Sequence, residues 1–136
     1  MSFSGRSVVM VDGARTPFGR AGAKGVFAET RADDLVVKVI RELLRRNPNL
    51  PKDRIEEVAI AATTQIGDQG LTLGRTAALL AGLPETTPGF SIDRMCAGAL
   101  TAASVVSSGI GVGAYDIAIA GGVDAADFAE MLMRMY

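Results

Sequence analysis

A single cysteine, Cys96, sits in the run Phe90-Ser91-Ile92-Asp93-Arg94-Met95-Cys96-Ala97-Gly98-Ala99-Leu100, where a short strand-like stretch meets small helix-forming residues. A thiol at such a junction is a candidate nucleophile. At or near the first helical position, the unpaired amides and the positive end of the helix dipole stabilise a thiolate, and the same amides can hold an oxyanion. One segment would then supply nucleophile and electrophilic support together. The competing reading is a buried thiol that behaves as a small hydrophobe.

The sequence contains no histidine. Cys-His and Ser-His-Asp activation are therefore excluded within these residues, and no imidazole is present to ligate a metal, so no metal site is expected. Cysteine catalysis here would borrow its base from another chain or from sequence not present.

Alternating elements must position Cys96. Ser7-Val8-Val9-Met10-Val11-Asp12-Gly13 predicts a buried strand, followed by a polar, glycine-rich loop from Arg15 to about Glu29. Leu35, Val36, Val39, Ile40, Leu43 and Leu44 then recur at helical spacing, with Thr30 as expected N-cap, Asp33 and Asp34 in the first turn, and Asn47-Pro48 as the stop. A second strand is expected over Val58–Thr63 and a second helix from about Leu73 to Ala81, ended by Gly82 and Pro84. A third strand from about Phe90 to Met95, a third helix from Cys96 to about Ser108 and a fourth strand over Asp116–Ala120 complete the series. Strands apolar on both faces, alternating with helices, predict a three-layer α/β sandwich with a mostly parallel sheet.

Gly109, Gly111 and Gly113 follow a helix and precede a strand, the reverse of the order in a phosphate-binding loop, and are read as a helix end and turn. The small residues Ala97, Gly98, Ala99, Ala102 and Ala103 let other elements approach the third helix closely. The tail from Asp127 to Tyr136 can form a short helix packed on another surface, its methionines filling gaps.

Composition sets the outer bounds. The 136 residues suit one domain whose core needs neither metal nor disulfide. Fourteen basic and fifteen acidic side chains give a net charge of −1 with no long block of either sign, so no nucleic-acid surface is indicated. One cysteine makes no internal disulfide, Val8–Val11 is too short for a signal peptide, and no stretch is read as reaching the roughly 20 apolar residues of a membrane helix. A soluble, cytoplasmic protein is expected.

Four segments in order resemble the thiolase family of acyl-CoA acyltransferases: Ala14-Arg15-Thr16-Pro17-Phe18-Gly19, the stretch from Gly67-Asp68-Gln69-Gly70 to Gly74-Arg75-Thr76-Ala77-Ala78, Asp93-Arg94-Met95-Cys96-Ala97-Gly98, and Ala120-Gly121-Gly122-Val123. The resemblance implies a thiolase-like half-domain over residues 1–123, incomplete relative to the family, with a divergent tail over 124–136. It implies that Cys96 is the acyl-accepting residue, attacking a thioester or 3-ketoacyl-CoA, with its own amide in the oxyanion hole. CoA thioesters would be substrates rather than tightly bound cofactors. The family's activating histidine and second cysteine belong to its C-terminal half and have no counterpart here. The sequence departs from the family at Cys96-Ala97-Gly98-Ala99-Leu100, where Cys-x-Ser-Gly-Leu is usual, and after Val123, where Asp124-Ala125-Ala126-Asp127 replaces Glu-Ser-Met or Glu-His-Met.

These features imply a thiolase portion catalysing thiolytic cleavage or Claisen condensation only when complemented. Its partners would be acyl-CoA or CoA and either further copies of the chain or a C-terminal thiolase half, with an unpaired sheet edge favouring association. The alternatives are a β-ketoacyl synthase relative, disfavoured by the Arg15-Thr16-Pro17 loop, and an inactive binding or structural module with Cys96 as a relic.

Overall fold

The computed structural model describes residues 5–124. Helix α1 (Ala32–Arg46) buries Ala32, Leu35, Val36, Val37 and Ile40, while Asp33 and Asp34 at its start and Arg45 and Arg46 at its end complement the helix dipole. Thr30 is not its cap. The amide of Thr30 donates to the Phe27 carbonyl in a preceding turn, the cap position falls on Arg31, and the Asp68 carboxylate accepts from the Ala32 amide at 2.7 Å. A distant aspartate thus supplies the acceptor expected from a local threonine.

The strands are β1 (Glu57–Ala62), β2 (Phe90–Ile92) and β3 (Ala118–Val123), in sheet order β2-β1-β3. Both pairings are parallel: Ala59 lies opposite Phe90 in one, and Val58 opposite Ile119 in the other. Helix α2 (Leu73–Ala81) joins β1 to β2 and ends at Gly82 in the left-handed conformation, as the sequence predicts. Helix α3 (Gly98–Val112) joins β2 to β3 and closes on left-handed Gly113.

Strand alternation builds the three layers. Val58, Ile60 and Ala62 pack with Val36, Val37 and Ile40 of α1 and Leu73, Ala77 and Ala78 of α2. Ala59 packs oppositely against Ala102 and Val106 of α3. Close approach depends on glycine at the head of α2, because a β-carbon on Gly74 would lie 2.1 Å from the Phe90 carbonyl oxygen and 2.7 Å from that of Val58.

The expected first strand is absent. Residues 7–13 pair with no described strand, and Val9, Met10 and Val11 are 77%, 88% and 84% exposed. The run is instead anchored at its ends: the Arg6 amide donates to the Gly111 carbonyl at 3.1 Å and the Arg6 guanidinium pairs with Asp116, while Asp12 accepts from Arg46 at 2.7 Å and Asn47 at 2.9 Å. An apolar run makes a strand only where it meets a ladder partner, and residues 7–13 meet none among the described strands.

The third helix begins at Gly98 and not at Cys96, and runs to Val112 beyond the expected Ser108. The 18-residue helical run Met95–Val112 has mean hydropathy 1.6, long and apolar enough by length and composition to cross a membrane, contrary to the expectation that no stretch qualifies. In this fold Gly98, Ala102 and Val106 seat it on the sheet. The helix expected within residues 127–136 lies outside the described residues.

Candidate active site at the head of helix α3

All three parallel strands end on the side where α3 begins, the edge at which open α/β sheets form ligand crevices. A cleft of about 250 Å³ lies there, lined by Ala61, Ala62 and Thr63 from β1 and its exit, Met95, Cys96, Gly98 and Ala99 from the helix head, Gly122, Val123 and Asp124 from β3 and its exit, and Phe18. The Phe18 ring is 92% exposed, with the Arg15 guanidinium 5.1 Å from its centroid.

Cys96 is exposed, which removes the buried-hydrophobe reading. It occupies a single 3-10 turn, Met95–Ala97, fused to α3. The Ala97 amide donates to the Arg94 carbonyl at 3.1 Å and the Gly98 amide to the Met95 carbonyl, whereas the Cys96 amide has no acceptor among the described residues. The thiol therefore stands just ahead of the helix, not at its first residue, beside a main-chain donor left available.

Two left-handed residues shape this turn. Met95 has φ 48° and Thr64, just beyond β1, has φ 57°. Such a conformation costs a non-glycine residue roughly 1–2 kcal/mol, so it persists only when its surroundings enforce it. One side chain binds both: the Asp93 carboxylate accepts from the Thr64 amide at 3.0 Å and from the Met95 amide at 3.2 Å. On the other side of β1, Asp124 accepts from the Thr63 amide at 3.1 Å and the Thr63 hydroxyl at 3.0 Å. The exit of the central strand is thus held by a carboxylate from each neighbouring strand's end.

Of these residues the sequence singles out Cys96 alone. Asp93, Thr64 and Asp124 escape it because their bonds link positions far apart in the chain; the available local signal is Asp93 two residues before Met95, the spacing at which an aspartate closes a turn on a backbone amide. The carboxylates held below their ordinary range, Asp12, Asp33 and Glu42, lie on the N-terminal segment and α1 and not at the cleft. Asp12 is lowered chiefly by the hydrogen bond from Asn47, Asp33 by that from Arg31 and Glu42 by that from Arg45. The described residues contain no group of three side chains suited to holding a metal ion.

Comparison with known proteins gives this arrangement a lineage. The family described as "Thiolase, N-terminal domain" matches residues 8–134. The chain is 40% identical over 128 residues to the 3-oxoadipyl-CoA/3-oxo-5,6-dehydrosuberyl-CoA thiolase of Escherichia coli K12, covering 94% of this chain and 31% of that protein. It is 41% identical over 119 residues to a 3-ketoacyl-CoA thiolase of Aliivibrio salmonicida, covering 88% and 30%. The crystal structure of a Bacillus anthracis acetyl-CoA acetyltransferase superposes with a TM-score of 0.82 at 31% identity, over 91% of this chain and 30% of that one. The chain therefore spans less than a third of the length of these proteins. Through a match that takes in both walls of the cleft and the Cys96 turn, the protein belongs to the thiolase family, within its N-terminal domain.

Proposed function

We propose that the protein contributes the acyl-accepting half of a thiolase-type acyl-CoA acyltransferase, with Cys96 as nucleophile. The observation that carries this reading is the exposed Cys96 thiol in the 3-10 turn at the head of α3, opening on a cleft at the strand exits and accompanied by its own amide, which has no acceptor among the described residues. Attack of the thiolate on a thioester carbonyl forms the sulfur–carbon bond and a tetrahedral oxyanion that the Cys96 amide can receive. Collapse breaks the carbon–sulfur bond to CoA, which leaves as a thiol after taking a proton, and the acyl group stays on Cys96. The base that removes the thiol proton comes from outside these residues, since the sequence has no histidine and no second cysteine. Full turnover, in the cleavage or condensation direction, accordingly belongs to the chain together with a complementing C-terminal thiolase portion.

Intact mass after incubation with acetyl-CoA and with a 3-ketoacyl-CoA, beside a Cys96→Ser control, tests this reading. One added acyl group that disappears in Cys96→Ser supports it. No adduct, with slow alkylation by iodoacetamide, means that the chain alone is not a catalyst and favours the partner-dependent reading or the inactive structural module.

A further inference from the structure

We propose that Asp93 is a positioning residue for Cys96, a fixed brace that holds the cysteine turn against the exit of the central strand. The proposal rests on the reading of Cys96 as the acyl acceptor. Asp93 follows the last residue of β2 and precedes the cysteine by three positions, and its two carboxylate oxygens are divided between two elements. Oδ1 accepts from the Met95 amide, within the turn; Oδ2 accepts from the Thr64 amide, across the strand boundary. Both amides belong to left-handed residues, so one side chain secures the two backbone conformations that an L-residue adopts least readily in this region. Without the brace the turn relaxes toward ordinary backbone angles, and Cys96 leaves its place ahead of α3 and the cleft it lines. In this geometry each carboxylate oxygen serves one amide, so asparagine in the same pose keeps one bond and turns an N–H toward the other amide. Asp93 touches neither the thiol nor the acyl group in this role; it acts through the backbone.

The test uses the full 136-residue chain as wild type, Asp93→Ala and Asp93→Asn. Cys96 alkylation by iodoacetamide is followed by intact mass, hydrogen exchange at the Thr64 and Met95 amides by NMR, and the melting midpoint by circular dichroism. Asp93→Ala should slow alkylation about three- to tenfold, the range set by loss of a helix-terminus interaction, and should deprotect both amides. Asp93→Asn should fall between it and wild type, with one amide still protected. An unchanged rate in Asp93→Ala overturns the proposal. So do equal accelerations in both variants, which would mean that the carboxylate acts only as a negative charge near the thiol. If Asp93→Ala does not fold, Asp93→Asn decides: slower alkylation at an unchanged midpoint supports the brace, and a rate at or above wild type overturns it. Because alkylation needs no CoA, the two readings fail separately: absence of acyl transfer in wild type supplied with a complementing C-terminal thiolase portion removes the acyl-acceptor role, and unchanged alkylation in the variants removes the brace.

Discussion

Gly98 and Ala61 approach so closely that a β-carbon on Gly98 would lie 2.7 Å from the Ala61 methyl carbon. The first residue of α3 thereby rests directly on the central strand, two positions from the thiol. Ordinarily a glycine-to-alanine change in a helix gains up to about 1 kcal/mol. Here overpacking dominates, and Gly98→Ala should destabilise the chain by about 1–3 kcal/mol in urea denaturation. Ala61→Gly in the same chain removes the clash, so the double variant should recover part of the loss.

Two further glycines, Gly74 and Gly111, should respond with opposite signs. Gly74→Ala sets a methyl against two carbonyl oxygens of the sheet, backbone atoms that cannot move aside, and should cost at least about 3 kcal/mol or prevent folding. A β-carbon on Gly111 of α3 meets nothing within 4 Å, so Gly111→Ala should stabilise by about 0.5–1 kcal/mol. Thermal melting of the two variants side by side checks both.

Acid should weaken the fold in a defined direction. The hydrogen bond from Arg31 holds the Asp33 carboxyl below its ordinary range, aided by the Arg31 charge and opposed by burial; that from Asn47 does the same for Asp12, aided by the Gly13 amide. A carboxyl lowered on folding stabilises the folded state above its unfolded value of about 3.9, and that stabilisation is lost as pH falls through the lower folded value. Urea midpoints should therefore hold steady near neutrality and drop below about pH 4, with a smaller drop in Asp33→Asn.

The exposed run Val8–Val11 should exchange its amide hydrogens rapidly, whereas β1 amides should be protected. Val9→Lys and Met10→Lys should change stability by less than about 0.5 kcal/mol, as substitutions away from packed features do. Hydrogen exchange read by mass spectrometry distinguishes this from a paired strand, in which the run would be as protected as β1.

Local signals made most of the architecture legible. Helical spacing gave α1, Gly82 marked the end of α2, and the apolar run at Val58 gave the central strand, because each element is specified by residues close in sequence. The segment from Ser7 to Gly13 reads as a strand for the same local reason, yet strand formation is settled by a distant partner. Thr30 and Asp68 make the same point for capping: residue type names the chemistry, while the chain's path decides which donor and acceptor meet. At the cleft, the thiol was visible as the only cysteine at a strand-to-helix junction. Its Asp93 brace was not, since one of its two bonds reaches back to Thr64.

The long reach of the β1–β3 pairing orders events during synthesis. Residues 57–62 leave the ribosome before residues 118–124, on which one wall of the cleft and the Asp124 bonds to Thr63 depend. Cys96 is therefore translated before its surroundings can close, and for that interval its thiol stands on an unfinished site, open to oxidation and to mixed disulfides. The cysteine's cleft is completed only after the cysteine itself is made.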